Sequence, residues 1–179
     1  VNIGLESGSE AVRKHMGKGS SDADVEYTTQ MLIKYNIKQS WNIVAGYPTE
    51  TDKDWDDTIA LIKKWVPNSN GLITVLPVDT FQVLEGVPMT TEEILMREFN
   101  FELPVVKGYN SFAWVSAANL KNTFPVRVNR FIELCNLCLT FTTNEMLRAK
   151  INTQINRVTK QLKWYYESNP KKVFSITTA

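Results

Sequence analysis

Metal-ligating side chains are scarce in this chain, which has two cysteines and one histidine among 179 residues. A structural zinc site needs four ligands, so Cys135 and Cys138 do not make one even though they stand in a C-x-x-C spacing, and His15 is distant in sequence. No apolar run approaches the roughly 20 residues that span a bilayer. The start of the chain lacks the basic stretch followed by an apolar core that marks a signal peptide, so the expected location is cytoplasmic, with no membrane partner. An initiating methionine is missing as well. Val1 opens directly into what reads as a core strand, so the expectation is that an N-terminal portion precedes it.

An overall excess of charge is also lacking, since the formal net charge is +1. The distribution is uneven, however. Residues 1–120 carry 10 Lys and Arg against 16 Asp and Glu, whereas residues 121–179 carry 10 against 3. Either the basic part packs against the acidic part of the same protein, or it meets a polyanion such as RNA. The basic residues lack the aromatic interleaving used in single-strand binding, which favours the first reading. Cys135 and Cys138 lie in the apolar segment Phe131–Phe141 and read as small buried side chains sharing a helix face.

What is present is a βαβ alternation over the first 90 residues, the pattern of an α/β fold with parallel strands. Val1–Leu5 reads as a strand. Ser7 and Glu10 then read as a capping pair for a short helix through Val12. Ser21 and Asp24 open a second helix with Val25, Thr28, Leu32 and Tyr35 at helical spacing, and Asn36 stops it. Ser40–Ala45 is the second strand. Thr51 and Asp54 cap a helix with Trp55, Ile59, Ile62 and Val66 on one face, ended by Pro67. A third β region covers Leu72–Leu76 and Asp79–Leu84, interrupted at Pro77.

Beyond Met89 the pattern turns helical. Thr90–Phe99 reads as a helix, Glu102–Ser116 as irregular, and Val126–Phe141 and Asn144–Tyr166 as long helices. The last carries Leu147, Ile151, Ile155, Val158, Leu162 and Tyr165 on one face, with Thr142 and Glu145 as its capping box. The expected division is 1–89 for the α/β part and 90–179 for a mainly helical extension.

Ligands of a parallel sheet gather at the C-terminal ends of its strands, a rule that puts Glu6, Ser7, Gly46, Glu50, Glu85 and Gly86 on one rim. The glycines of Gly4-Leu-Glu-Ser-Gly-Ser9 permit close backbone approach. Glu6 there either meets a small polar ligand or caps its own turn. Asn42, in a strand that again ends in glycine, is costly to bury without a hydrogen-bond partner, and a ribose diol would supply one.

In order, Gly4-Leu-Glu-Ser-Gly-Ser9, His15-Met-Gly-Lys-Gly19, Gly46-Tyr-Pro-Thr-Glu-Thr51, Asp57-Thr-Ile59 and Glu85-Gly-Val-Pro-Met89 resemble the radical S-adenosylmethionine (SAM) enzymes. The resemblance is to the C-terminal half of their partial (β/α)6 TIM-like barrel, strands four to six, and to members that often carry an upstream cobalamin-binding domain. It implies SAM as cofactor, a [4Fe–4S] cluster, and cobalamin in some parents. By the same resemblance Glu6 and Ser7 lie at the fourth strand, with Glu6 contacting the methionyl and ribose part. Lys18 pairs with the cofactor carboxylate, Asn42 bonds the ribose hydroxyls, Val44 packs on adenine, and Gly46 ends the fifth strand. Backbone near Val83 would face the adenine edge, while Glu50 and Thr51 read as helix caps. Trp114, Asn119, Thr123, Arg127 and Arg130 resemble a recurrent region after the barrel, where packing and surface charge are the simpler explanation.

The Cys-x3-Cys-x2-Cys loop that holds the family's cluster is absent, and Cys135 and Cys138 do not replace it. The resemblance therefore implies a fragment of a radical SAM iron–sulfur enzyme. It would contribute part of the SAM pocket, with a helical extension over the substrate side, and be inactive without the missing N-terminal half. Two alternatives stand beside it: a truncated, non-catalytic interaction module that binds RNA through its basic helices, and a phosphate-binding α/β barrel fragment.

Overall fold

The computed structural model describes residues 1–84, 86, 88–102 and 112–168. Glu85, expected on the rim, lies outside these residues, as do Val87 and most of the stretch expected to be irregular. The chain is a mixed α/β structure on a parallel sheet in the order β1 (Asn2–Glu6), β2 (Gln39–Ala45), β3 (Ile73–Thr80). Between β1 and β2 lie α1 (Glu10–His15) and α2 (Asp22–Lys34), and α3 (Asp52–Trp65) leads toward β3. Short helices α4 (Pro88–Thr91) and α5 (Glu93–Phe99) follow, with a two-residue antiparallel pair, β4 (Phe101–Glu102) and β5 (Val115–Ser116). The long helices are α6 (Phe124–Phe141) and α7 (Glu145–Ser168).

Strand β2 sets the layers. Its residues alternate strictly, with Gln39, Trp41, Ile43 and Ala45 buried and Ser40, Asn42 and Val44 half-buried. Trp41, Ile43 and Ala45 share one core with Trp55, Ile59 and Ile62 of α3, with Val128, Phe131 and Leu134 of α6, and with Ile151 and Val158 of α7. Each such side chain contributes about 1.5–3 kcal/mol of transfer free energy. The helices thus cover one face of the sheet, while Asn42 and Val44 look the other way. Helices α6 and α7 pack on the Trp41 side of the sheet, because the apolar stripe of α6 has that face of β2 to bury against.

Local signals account for most element ends. Ser21 with Asp24 and Thr51 with Asp54 form complete capping boxes. Asn36 takes φ 56° after α2, the left-handed stop expected of it. All six expected apolar positions of α7 are buried or packed on the core.

Other expectations are corrected. The N-cap of α1 is Ser9, whose hydroxyl accepts from the Val12 amide at 3.4 Å, while the Ser7 hydroxyl accepts from the Ser9 amide at 3.2 Å. Helix α1 therefore runs on to His15. In α2, Thr28 and Tyr35 are exposed and Thr29 is buried, so the packed face is Val25, Thr29 and Ile33, at spacings of four. Pro77 does not interrupt β3. Ile43 pairs with Pro77 and Val44 with Asp79, leaving Val78 as the extra residue of a bulge on the outer strand of this sheet, where a missing N–H is tolerated. The strand ends at Thr80, short of Leu84. The helix expected over Thr90–Phe99 is split between α4 and α5. Helix α6 begins two residues early, with Pro125 in its first turn. The cap of α7 is Asn144, whose side-chain oxygen accepts from the Leu147 amide at 3.0 Å, in place of the Thr142 and Glu145 box.

Candidate functional site

The C-terminal ends of β1 and β2 open onto a cleft of about 410 Å³ lined by Glu6, His15, Met16, Lys18, Val44, Tyr47, Phe81, Met89 and Phe99. Glu6 closes β1 with φ 65°, a left-handed conformation that costs a non-glycine residue energy and turns its carboxylate toward Lys18. Lys18 Nζ lies 3.2 Å from Glu6 Oε1. A Cβ on Gly4 would approach that oxygen to 2.8 Å and Lys18 Nζ to 3.3 Å, so the glycine leaves the room the pair occupies. Glu6, Lys18 and Val44, chosen from the sequence, therefore meet in one cleft. Asn42 precedes Val44 by two residues on the same open face of β2.

Asn42 is not among the residues that line the cleft, and the other two expected residues do not line it either. Ser7 is buried, with its hydroxyl 3.2 Å from Thr58 Oγ1. Gly46 has φ 82°, and its amide donates to Glu50 Oε2 at 2.8 Å. Val83 is buried.

The turns that carry the cleft are fastened from behind by buried arginines. The Arg13 guanidinium donates to the carbonyls of Ser7, Gly8 and Ser20 and pairs with Asp22 at 2.6 Å, which fixes the turn after β1. At the second turn Glu50 is buried instead of capping a helix. It accepts from Arg130 Nη1 at 3.0 Å, and Arg130 Nη2 reaches Asp52 at 2.6 Å. Burial pushes the Glu50 carboxyl up to about 7, against the pull of Arg130 and the Gly46 amide. Asn122 donates to the carbonyls of Gly46 and Tyr47, and Asn119 to that of Glu50.

Arg127 completes this clamp. It donates to the carbonyls of Phe112, Trp114 and Asn122, and lies 3.6 Å over the Trp114 ring. Burial draws it down to about 9. The region 114–130 is thus packing, as the simpler explanation held, but packing directed at the Gly46 turn rather than surface charge. The basic excess of the C-terminal part meets acidic residues of the sheet half at Arg130 with Glu50 and Asp52, and at Arg157 with Asp79. Arg148 is spent on the carbonyls of Leu139 and Thr142.

A carboxylate and an ammonium side by side, with apolar and aromatic walls beyond them, suit a small zwitterion that carries a flat group. Residues 1–62 match the radical SAM superfamily model. The match runs from β1 into α3 and holds Glu6, Ser7, Lys18, Asn42, Val44 and Gly46. It supports a radical SAM relationship for this stretch and does not single out cobalamin-associated members. No curated protein matches the chain.

Radical SAM proteins in general imply SAM and a [4Fe–4S] cluster. The described residues do not fit the cluster: none of their His, Cys, Asp and Glu side chains group in threes that could hold a metal ion. Cys135 and Cys138 are buried in α6, and burial pushes both thiols up to about 12, far from the thiolate a metal requires. They are the small core residues the sequence suggested. Among the described residues no helix is long and apolar enough to cross a membrane. His15, Met16, Tyr47, Phe81, Met89 and Phe99 were missed as cleft residues. His15, Met16, Tyr47 and Met89 stand inside the motif blocks, which could have drawn attention to them, while Phe81 and Phe99 lie outside any block.

Proposed function

We propose that this chain is part of a radical SAM iron–sulfur enzyme and supplies one side of its SAM-binding cleft, as strands four to six of a partial (β/α)6 barrel. The observation that carries the reading is the Glu6 and Lys18 pair at the C-terminal end of β1, inside the stretch that matches the superfamily. Lys18 would meet the carboxylate of the cofactor's amino-acid part. Glu6 would take its ammonium or ribose hydroxyls, Asn42 the ribose, and Val44 the adenine face. The chemistry would be supplied by SAM once it is bound. The residues of this chain bind, orient and exclude water, and the cluster ligands come from outside them.

The test is calorimetric titration of the chain with S-adenosylhomocysteine. Replacing Glu6 by Ala removes a polar contact worth about 1–3 kcal/mol, or roughly 5- to 150-fold in affinity. Equal affinity of wild type and Glu6→Ala would remove Glu6 from the site, and absence of binding by both would count against the reading as a whole. Cobalamin-dependent methylation is a further version of the same proposal, tested by cobalamin binding to the complete parent.

A further inference from the structure

Three residues remote in sequence meet at one wall of the cleft. His15 ends α1, Tyr47 follows β2, and Glu98 lies in α5. His15 Nδ1 is 3.1 Å from Tyr47 Oη, and His15 Nε2 is 2.7 Å from Glu98 Oε1. Both ring nitrogens are therefore engaged, and the ring is wedged edge-on against Tyr47 and Phe99, with centroids 5.5 Å away in each case. Tyr47 is fixed from its other end, where its carbonyl accepts from Asn122 and from the Glu50 amide. Its ring is buried, and burial, then the charge of Glu98, pushes its phenol up to about 12, so it keeps its proton at neutral pH.

Tyr47 and Phe99 pack in a small apolar cluster, but the ion pair outside it adds little to stability. The His15 and Glu98 side chains are 30% and 42% exposed, and exposed ion pairs contribute little. What the arrangement provides is a phenol at the cleft wall, backed by an imidazole whose tautomer a carboxylate sets. The rest of that wall is Met16, Phe81, Met89 and Phe99, apolar or aromatic throughout.

We propose that Glu98, His15 and Tyr47 form a proton relay opening into the cleft, serving a small aromatic or apolar compound that bears one proton-exchanging hydroxyl or amine. Tyr47 is the catalytic residue that touches this compound, and His15 and Glu98 act through it. As a base, Tyr47 takes the compound's proton onto Oη while its own Oη–H bond breaks toward His15 Nδ1, 3.1 Å away. The ring gains that proton and keeps Nε2–H donating to Glu98, the compound keeps the electron pair, and the net change is one proton passed from the compound to His15.

His15 is the single histidine, so the full chain labelled with ¹⁵N-histidine gives one pair of ring nitrogens. In the neutral ring the Nε2–H tautomer should predominate, and Glu98→Ala, at an exposed position, should abolish that preference with the fold intact. Phenol, used as the probe, should shift the Nδ1 resonance of the wild type and of Glu98→Ala but not of Tyr47→Phe. Equal tautomers in the wild type, no response to phenol, or the same response in Tyr47→Phe would each overturn the relay.

Discussion

The aliphatic stem of Arg127 occupies the space that a side chain at Gly46 would need: a Cβ there would stand 2.2 Å from Arg127 Cγ. Gly46 also holds φ 82°, a conformation that disfavours any other residue. Gly46→Ala therefore combines backbone strain of about 1–3 kcal/mol with an overpacking cost of similar size. Urea denaturation should show a loss of at least about 2 kcal/mol, and a near-neutral result would mean that the turn and α6 are not in contact.

Arg127→Lys should be as damaging, although the charge is kept. A lysine ammonium cannot span the carbonyls of Phe112, Trp114 and Asn122 or lie flat on Trp114. Orphaning buried acceptors costs about 1–3 kcal/mol each. The expected outcome is a denaturation midpoint well below that of the wild type.

Glu50 makes stability depend on pH in a direction unusual for a carboxylate. Its folded pKa is raised from 4.5 to about 7, so the folded protein binds its proton more tightly than the unfolded chain. The favourable contribution is complete below about 4.5 and is lost as pH rises through about 7. Each tenfold gain in proton affinity corresponds to about 1.4 kcal/mol, an upper bound given the opposing Arg130. Glu50→Gln should keep the bonds to Gly46 and Arg130 and flatten the stability profile between about pH 5 and 8. An unchanged profile would mean that Glu50 is ionised throughout.

Glu6 should show a conflict between stability and binding. Its φ of 65° is relieved by glycine, so Glu6→Gly should gain up to about 1 kcal/mol of stability while losing affinity for S-adenosylhomocysteine. Thermal denaturation and calorimetry on the same variant would read both. A loss of stability would show that the Lys18 pair outweighs the strain.

Cys135 and Cys138 should resist thiol reagents in the folded chain and react fully in denaturant, since both are buried and protonated. Fast modification without denaturant would contradict their place in the core.

What could be read from the sequence was whatever depends on neighbours along the chain. The boxes at Ser21 with Asp24 and Thr51 with Asp54 close within one helical turn, and the α7 stripe repeats often enough over Glu145–Ser168 to be read without ambiguity. Glu6 and Lys18 came from ordered motif blocks and Val44 from the strand before one of them, and the fold brings the three to one cleft. Arg13 and Arg127 were unreadable as buried fasteners because most of their partners are backbone carbonyls, which leave no trace in residue identity, and Arg130 because its carboxylate partners lie 78 and 80 positions away. His15 and Glu98 are separated by 83 positions, and no local pattern links them. Pro77 misled because the bulge that accommodates it is a property of the strand pair, not of the strand.

The single core uniting Trp41, Ile43 and Ala45 with Phe131, Leu134 and Val158 has a practical consequence for anyone cutting the chain. Expression of residues 1–89 alone would leave only α3 on this face of the sheet and uncover the core side chains that α6 and α7 bury. Such a product is expected to self-associate through that face. Work on the cleft must therefore carry α6 and α7 with it, however far they lie from the chemistry.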